Sequence, residues 1–172
     1  MVKLWRCEIC GDAYIGGSPP DNCPFCGVHK RYIKEAKGSK VYFDVALNDK
    51  DRANVEKALQ VEVSNAAFYF CAAEKTDDPE GRLLFKALGK VEAEHASVWS
   101  RILKLDKAPR KAESCHDHNG ENLQESHERE TSAIEFYKAA ASHSEHERVK
   151  QIFEAFVEVE TDHLKLSEER LK

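Results

Sequence analysis

Apolar residues recur at helical spacing from about residue 49 to the end of the chain, whereas residues 1–34 show no such repeat. Apolar positions three, four and seven residues apart lie on one face of an α-helix. The pattern predicts four helices, at about 49–75, 79–105, 121–142 and from the segment Ser144-x-x-Glu147 to about 171. That segment has the sequence of a capping box, and Pro79 suits the first position of a helix.

The lengths of the connections predict how the helices are arranged. Only a few residues join the first helix to the second and the third to the fourth, so each pair should form an antiparallel hairpin. The polar segment between the second and third helices has about 14 residues and reaches roughly 48 Å. A helix of about 26 residues is roughly 39 Å long. The segment can therefore cross the bundle, which predicts a ferritin-like, all-α four-helix bundle with parallel second and third helices.

The part of the chain before the helices has a different composition. Residues 1–34 are rich in Cys, Gly and Pro and predict a small metal-binding domain. Residues 35–48 form a connector, in which Val41–Val45 is predicted as a short strand. The bundle is then expected over residues 49–172.

The helical region contains an internal repeat. A shift of 68 residues aligns the two hairpins without a gap and places identical residues on one another at four positions: Glu62 on Glu130, Tyr69 on Tyr137, Glu92 on Glu160 and His95 on His163. Each of the four helices thus carries one of these glutamates within its own apolar stripe. Four buried carboxylates are costly without a compensating cation, and no lysine or arginine shares the stripes at this level.

Two divalent metal ions would balance the four carboxylates if both histidines are neutral. Glu-x-x-His on two helices plus one Glu on each of two others is the ligand set of di-iron carboxylate bundles. Oxygen and imidazole ligands suit iron or manganese. The predicted roles are two bridging glutamates (Glu92, Glu160), two chelating glutamates (Glu62, Glu130) and one histidine for each metal (His95, His163). Tyr69 and Tyr137 are predicted to donate hydrogen bonds to these ligands.

Four of the six cysteines form two C-x2-C pairs separated by 12 residues: Cys7, Cys10, Cys23 and Cys26. Four thiolates at this spacing predict a tetrahedral metal site, which fits either iron or a zinc ribbon. Nearby aromatic residues and the adjacent di-metal site favour iron. The other cysteines have simpler interpretations: Cys71 as a small core residue, and Cys115 as part of a polar linker. A surface metal cluster with His116 and His118 is the alternative for Cys115.

Composition excludes several classes of function. The chain has 172 residues, of which 41% are hydrophobic and 33% charged, and its net charge is −5. This mild acidity does not favour binding to nucleic acid or an anionic membrane. No apolar run is long enough to span a bilayer, and the N-terminus lacks the apolar core of a signal peptide. We therefore expect a cytoplasmic protein.

Together, the cysteine pairs and the repeated glutamate and histidine pattern resemble the rubrerythrin family over nearly the whole chain. The resemblance implies a rubredoxin-like N-terminal domain, in the reversed domain order, and a ferritin-like di-iron bundle. It further implies reduction of hydrogen peroxide to water, with electrons passing from a reductase through the rubredoxin centre. A homodimer is also implied, in which the rubredoxin domain of one subunit approaches the di-iron site of the other.

One position departs from the pattern expected of peroxidase-type members. These carry an extra glutamate one turn after the ligand on the third helix, where this chain has Ala133; the repeat equivalent is Asn65. A site with four glutamates and two histidines also serves in ferroxidases and in proteins that reduce O2. Both remain alternatives, as does a non-enzymatic metal-binding protein with a zinc ribbon.

Overall fold

The computed structural model describes residues 1–172 and contains a small sheet followed by four long helices. The antiparallel sheet has the order β2-β1-β3. Its strands are β1 (Lys3–Cys7), β2 (Ala13–Gly16) and β3 (Ile33–Glu35), with single 3-10 turns at Lys30–Tyr32 and Ala36–Gly38. The helices are α1 (Asp49–Lys75), α2 (Pro79–Ile102), α3 (Asn119–His143) and α4 (Glu147–Arg170). The predicted fold, a helical bundle with a small N-terminal cysteine domain, is confirmed.

The helix starts agree with the sequence except at α4. Asn48 caps α1 by accepting a bond from the backbone N–H of Asp51 at 2.7 Å, and Pro79 is the first residue of α2. The capping box predicted at Ser144 is wrong, because α4 begins at Glu147 and is capped by His146. The backbone N–H of His146 bonds Asp51 at 3.3 Å. This contact with the start of α1 sets where α4 begins.

The connection between α2 and α3 crosses the bundle as predicted. The N–H of Asp77, in the α1–α2 turn, bonds the carbonyl of Asp117 at 3.1 Å, and the N–H of Asn119 bonds the Asp77 carboxylate at 2.9 Å. The start of α3 therefore lies beside the start of α2, so these two helices run parallel. No helix of the protein is both long and apolar enough to span a membrane.

Two predictions are wrong, one about the isolated cysteines and one about the connector. Cys71 on α1 is not a simple core residue, because it forms a disulfide with Cys115, and their Cα atoms lie 5.8 Å apart. Cys115 is consequently not part of a metal cluster, and the disulfide fastens the α2–α3 connection to α1.

The stretch Val41–Val45 forms no strand. It lies against the bundle instead, where Val45 is buried and Phe43 packs at its edge.

The cysteine domain and the bundle share one continuous apolar core. Ile9 and Val28 of the cysteine domain belong to the same buried cluster as Trp99 and Phe153 of the bundle. The buried guanidinium of Arg148 on α4 donates to the backbone carbonyls of Glu8 at 2.6 Å and Tyr42 at 3.2 Å. This packing holds the cysteine domain against one side of the helices.

Candidate metal centres

The four cysteines come from two turns of the same design. In each, a glycine that follows the second cysteine has positive φ, +86° at Gly11 and +75° at Gly27. Each glycine N–H bonds the carbonyl of the first cysteine of its pair at 2.9 Å. Glycine adopts this backbone conformation without the steric cost of a side chain. The two turns bring all four thiols to one buried point.

The distances between the thiols fit one tetrahedral ion. Sγ of Cys7 lies 3.7 Å from Sγ of Cys26, and Sγ of Cys10 lies 3.8 Å from Sγ of Cys23. Metal–sulfur bonds of ~2.3 Å give edges of about 3.8 Å in a tetrahedron. Hydrogen bonds among the thiols lower the pKa of Cys23 and raise that of Cys10. The four thiols therefore do not all ionise unless a cation is bound among them.

The bundle brings the six predicted ligands together at its centre. They form two overlapping donor groups: Glu62, Glu92, His95 and Glu160, and Glu92, Glu130, Glu160 and His163. Within each group the donor atoms lie within 4.8 Å of one another, and all six residues are buried. Glu92 and Glu160 belong to both groups, which is the arrangement of two bridging carboxylates. Glu62 and Glu130 each belong to one group, as chelating ligands would.

The atoms without a hydrogen-bond partner identify where the metals would bind. Eight side-chain atoms of the six candidate ligands are buried and make no hydrogen bond. These atoms are Oε1 and Oε2 of Glu92 and Glu160, Oε2 of Glu62 and Glu130, and Nδ1 of His95 and His163. Unpaired buried polar atoms are costly. Two hard cations between the groups would satisfy all eight, so the donor set fits a di-iron centre.

The remaining oxygen of each chelating glutamate is held by a tyrosine from the other half of the repeat. The hydroxyl of Tyr137 on α3 donates to Oε1 of Glu62 on α1, and that of Tyr69 on α1 donates to Oε1 of Glu130 on α3. Burial and the nearby carboxylates raise the pKa of both phenols well above its ordinary value. Both hydroxyls therefore stay protonated and remain donors. The sequence predicted donors here but not the exchange between halves.

The electrostatics of the site favour a bound cation. Burial raises the pKa of Glu62 and Glu130 well above the usual range. Burial alone would lower the pKa of His95, but its contacts with Glu62 and Glu160 outweigh that effect and raise it. Without metal, protons would thus occupy the site. Metal ions would replace those protons and supply the positive charge in their place.

One hydrogen bond connects the two centres directly. Nε2 of His95 lies 2.8 Å from the backbone carbonyl oxygen of Cys26. A carbonyl only accepts, so Nε2 carries the proton, and Nδ1 is the atom directed at the carboxylates. The ring of His95 also stacks on Phe156, with centroids 3.9 Å apart. Nothing in the sequence predicts this contact, because residues 26 and 95 share no pattern that would relate them.

Two comparisons relate this chain to known proteins. Residues 5–34 match the family model of the rubrerythrin rubredoxin-like domain. The chain is similar to reverse rubrerythrin-1 of Clostridium acetobutylicum, at 27% identity over 117 residues. The match covers 59% of this chain and 62% of the relative, so the chain spans less than two thirds of the relative's length. The chain therefore combines a rubrerythrin-type rubredoxin-like domain at residues 5–34 with a four-helix bundle, and it is similar to a reverse rubrerythrin.

Proposed function

We propose that the protein is a non-haem di-iron oxidoreductase that reduces hydrogen peroxide to water in defence against oxidative stress. Electrons would enter through the cysteine domain and reach the bundle within the same chain. The observation that carries this proposal is the 2.8 Å contact between Nε2 of His95 and the carbonyl of Cys26. It joins one candidate metal ligand of the bundle to the backbone of a ligand of the cysteine domain. Iron, when bound, would supply one-electron chemistry in both places.

The protein's own groups would have three tasks. The bridging and chelating carboxylates neutralise the charge of the metal pair, and the two buried tyrosines fix the chelating oxygens. Phe156 and the aromatic residues around it exclude bulk water from the face of His95. The side chain of His95 holds a proton on Nε2 for Cys26 and a lone pair on Nδ1 for a metal.

The close packing of the two domains supports transfer within one chain. A Cβ atom placed on Gly27, next to Cys26, would lie only 2.9 Å from Cγ1 of Val159 on α4. The turn that holds Cys26 is thus seated directly on the bundle of the same chain, which supports transfer within one subunit. A homodimer and a separate reductase that feeds the cysteine domain remain part of the proposal, on the strength of the family resemblance.

A second candidate is reduction of O2 or oxidation of Fe²⁺ at the same site. The observation that favours it is Ala133, which is buried on α3 one turn after Glu130 and contributes no carboxylate. The site therefore has only the six ligands that these reactions also use. A zinc ribbon in place of the rubredoxin-type iron centre is the third candidate, since four thiolates bind either metal.

The deciding experiment compares oxidants with the iron-loaded protein. The chemically reduced protein is first mixed with hydrogen peroxide under anaerobic conditions. In separate experiments it is mixed with O2, or with excess Fe²⁺ in air. The proposal expects the visible spectrum of the oxidised protein to return faster with peroxide than with O2, at equal concentrations. An equal or faster reaction with O2 would replace the peroxidase assignment by an oxidase or ferroxidase one. A colourless cysteine domain after growth in iron-rich medium would indicate zinc.

A further inference from the structure

An open, polar cavity of about 850 Å³ lies between α1 and α3 and is also lined by the α2–α3 connection. Its wall includes Asn65 and Ala133, which are equivalent positions of the internal repeat because they are 68 residues apart. Each follows a chelating glutamate, Glu62 or Glu130, by one helical turn and so lies on the same face of its helix. The floor of the cavity therefore lies one helical turn from a chelating glutamate in each half of the repeat.

The side-chain amide of Asn65 has a hydrogen-bond partner at its oxygen but none at its nitrogen. Its Oδ1 accepts a hydrogen bond from Nη1 of Arg129 at 3.4 Å, and Arg129 also lines the cavity. Arginine only donates, so this bond identifies which atom of the amide is oxygen. Nδ2 is consequently turned away from Arg129. It is buried and finds no partner within the protein.

Arg129 is itself held in place by two other contacts, and it therefore fixes the orientation of the Asn65 amide. Its Nη2 donates to the carboxylate of Glu125 at 2.6 Å, and its guanidinium lies 4.4 Å from the ring centroid of Phe68. A buried N–H donor kept without a partner costs free energy, unless a ligand accepts from it. Ala133, at the equivalent position, offers no polar group. The two equivalent positions are therefore asymmetric, because the α1 side offers an unpaired donor and the α3 side offers none.

We propose that small oxygen-containing ligands enter the di-metal site from this cavity, between Asn65 and Ala133, and that Nδ2 of Asn65 donates the hydrogen bond that holds them. The proposal rests on the proposed two-metal site, whichever oxidant that site reduces. It makes Asn65 a ligand-binding residue and Ala133 the residue whose small size leaves the passage open.

Azide is a suitable probe, because its terminal nitrogen accepts a hydrogen bond and its binding to oxidised iron gives a visible absorption band. Optical titration of the oxidised, iron-loaded protein measures the azide Kd without any turnover. Asn65→Leu removes the donor at similar size and should weaken azide binding about tenfold, the loss of one buried hydrogen bond. The matched control is Gln60→Leu, at an exposed position on the rim of the same cavity. It should stay within twofold of the wild type.

Further variants separate the effect from misfolding and test the route of entry. Asn65→Asp keeps the shape and the bond from Arg129 but loses the donor, so it should also weaken azide, at unchanged helix content and iron content. Ala133→Val narrows the passage and should slow azide association at least fivefold by stopped flow. Its control is Ala67→Val, which lines a separate groove between α1 and α2.

The outcomes distinguish this inference from the proposed function. Wild-type azide affinity in both Asn65 variants would overturn it, as would an unchanged association rate in Ala133→Val. If those results accompany normal peroxide reduction by the wild type, only the inference fails. If instead azide binding responds as expected but the wild type reduces no peroxide, the inference stands and the peroxidase proposal fails.

Discussion

The hydroxyl of Tyr137 on α3 donates a hydrogen bond to Glu62 on α1, and Tyr69 does the same for Glu130 in the opposite direction. Each half of the internal repeat thus holds a candidate ligand of the other half. The two hairpins are linked by polar contacts at the site as well as by their apolar faces.

Tyr137→Phe should weaken iron binding in the bundle about tenfold, because the buried Oε1 of Glu62 loses its donor and the carboxylate loses its fixed orientation. Competition with a chelator, followed by the optical spectrum, measures the effect. Tyr42→Phe is the control, since that tyrosine is half exposed. Equal iron affinity in the two variants would show that the tyrosine does not support the ligand.

The two sites should bind three metal ions per chain, one among the cysteines and two in the bundle. Metal analysis after iron loading should give about three ions for the wild type and about two for Cys10→Ser. Glu92→Ala should lose both bundle ions, because it removes a carboxylate that belongs to both donor groups. A single ion per wild-type chain after full loading would contradict the di-iron assignment.

Electrons should reach the bundle through the cysteine domain. Cys10→Ser should stop steady-state peroxide reduction with the native reductase, yet still allow one round of reoxidation of protein that was reduced chemically. Cys71→Ser exchanges a cysteine outside both centres; it breaks the disulfide, but it should turn over normally at a temperature well below its melting transition. Normal steady-state turnover by Cys10→Ser would mean that the two domains are not an electron-transfer pair.

The contact at Gly27 should control the rate of transfer within the chain. Gly27→Ala introduces a Cβ close to Val159, at a backbone φ of +75° that alanine rarely adopts. It should loosen the bond between His95 and Cys26 and slow reoxidation of the cysteine centre at least fivefold, as followed by stopped flow. Gly11→Ala suffers the same backbone strain in the other turn, where the nearest side chain belongs to the connector residue Val41. It should change the rate less, and equal slowing would contradict transfer across the Gly27 side.

The Cys71–Cys115 disulfide should stabilise the bundle by closing a loop with a sequence separation of 44 residues. Chain entropy sets its contribution at about 4 kcal/mol or less. Cys115→Ser should lower the melting temperature of the metal-free protein, whereas Ser114→Ala beside it should not. Alkylation of the unfolded, metal-free protein should label four thiols before reduction and six after it. Six labelled thiols before reduction would show that the disulfide is absent.

Local patterns in the sequence predicted most of the helical architecture. The periodicity of apolar residues identified four helices, and the 68-residue repeat placed Glu62, Glu92, Glu130 and Glu160 on inward faces, where the structure has them. This worked because spacings of three, four and seven residues determine a helix face without reference to the rest of the molecule. The paired C-x2-C turns are equally local. The length of the α2–α3 connection was enough to predict parallel helices.

Contacts between distant residues were decided only by the tertiary structure. The disulfide joins residues 44 apart, and the His95–Cys26 bond spans 69 positions. The amide of Asn65, whose Nδ2 has no partner, owes its orientation to Arg129 on another helix. Even the start of α4 moved from the predicted capping box, because Asp51 of α1 holds the backbone at His146. Spacing along one helix specifies which side faces inward. It does not specify which atoms of another element will meet that side, because packing and hydrogen bonding across the whole molecule select the partner.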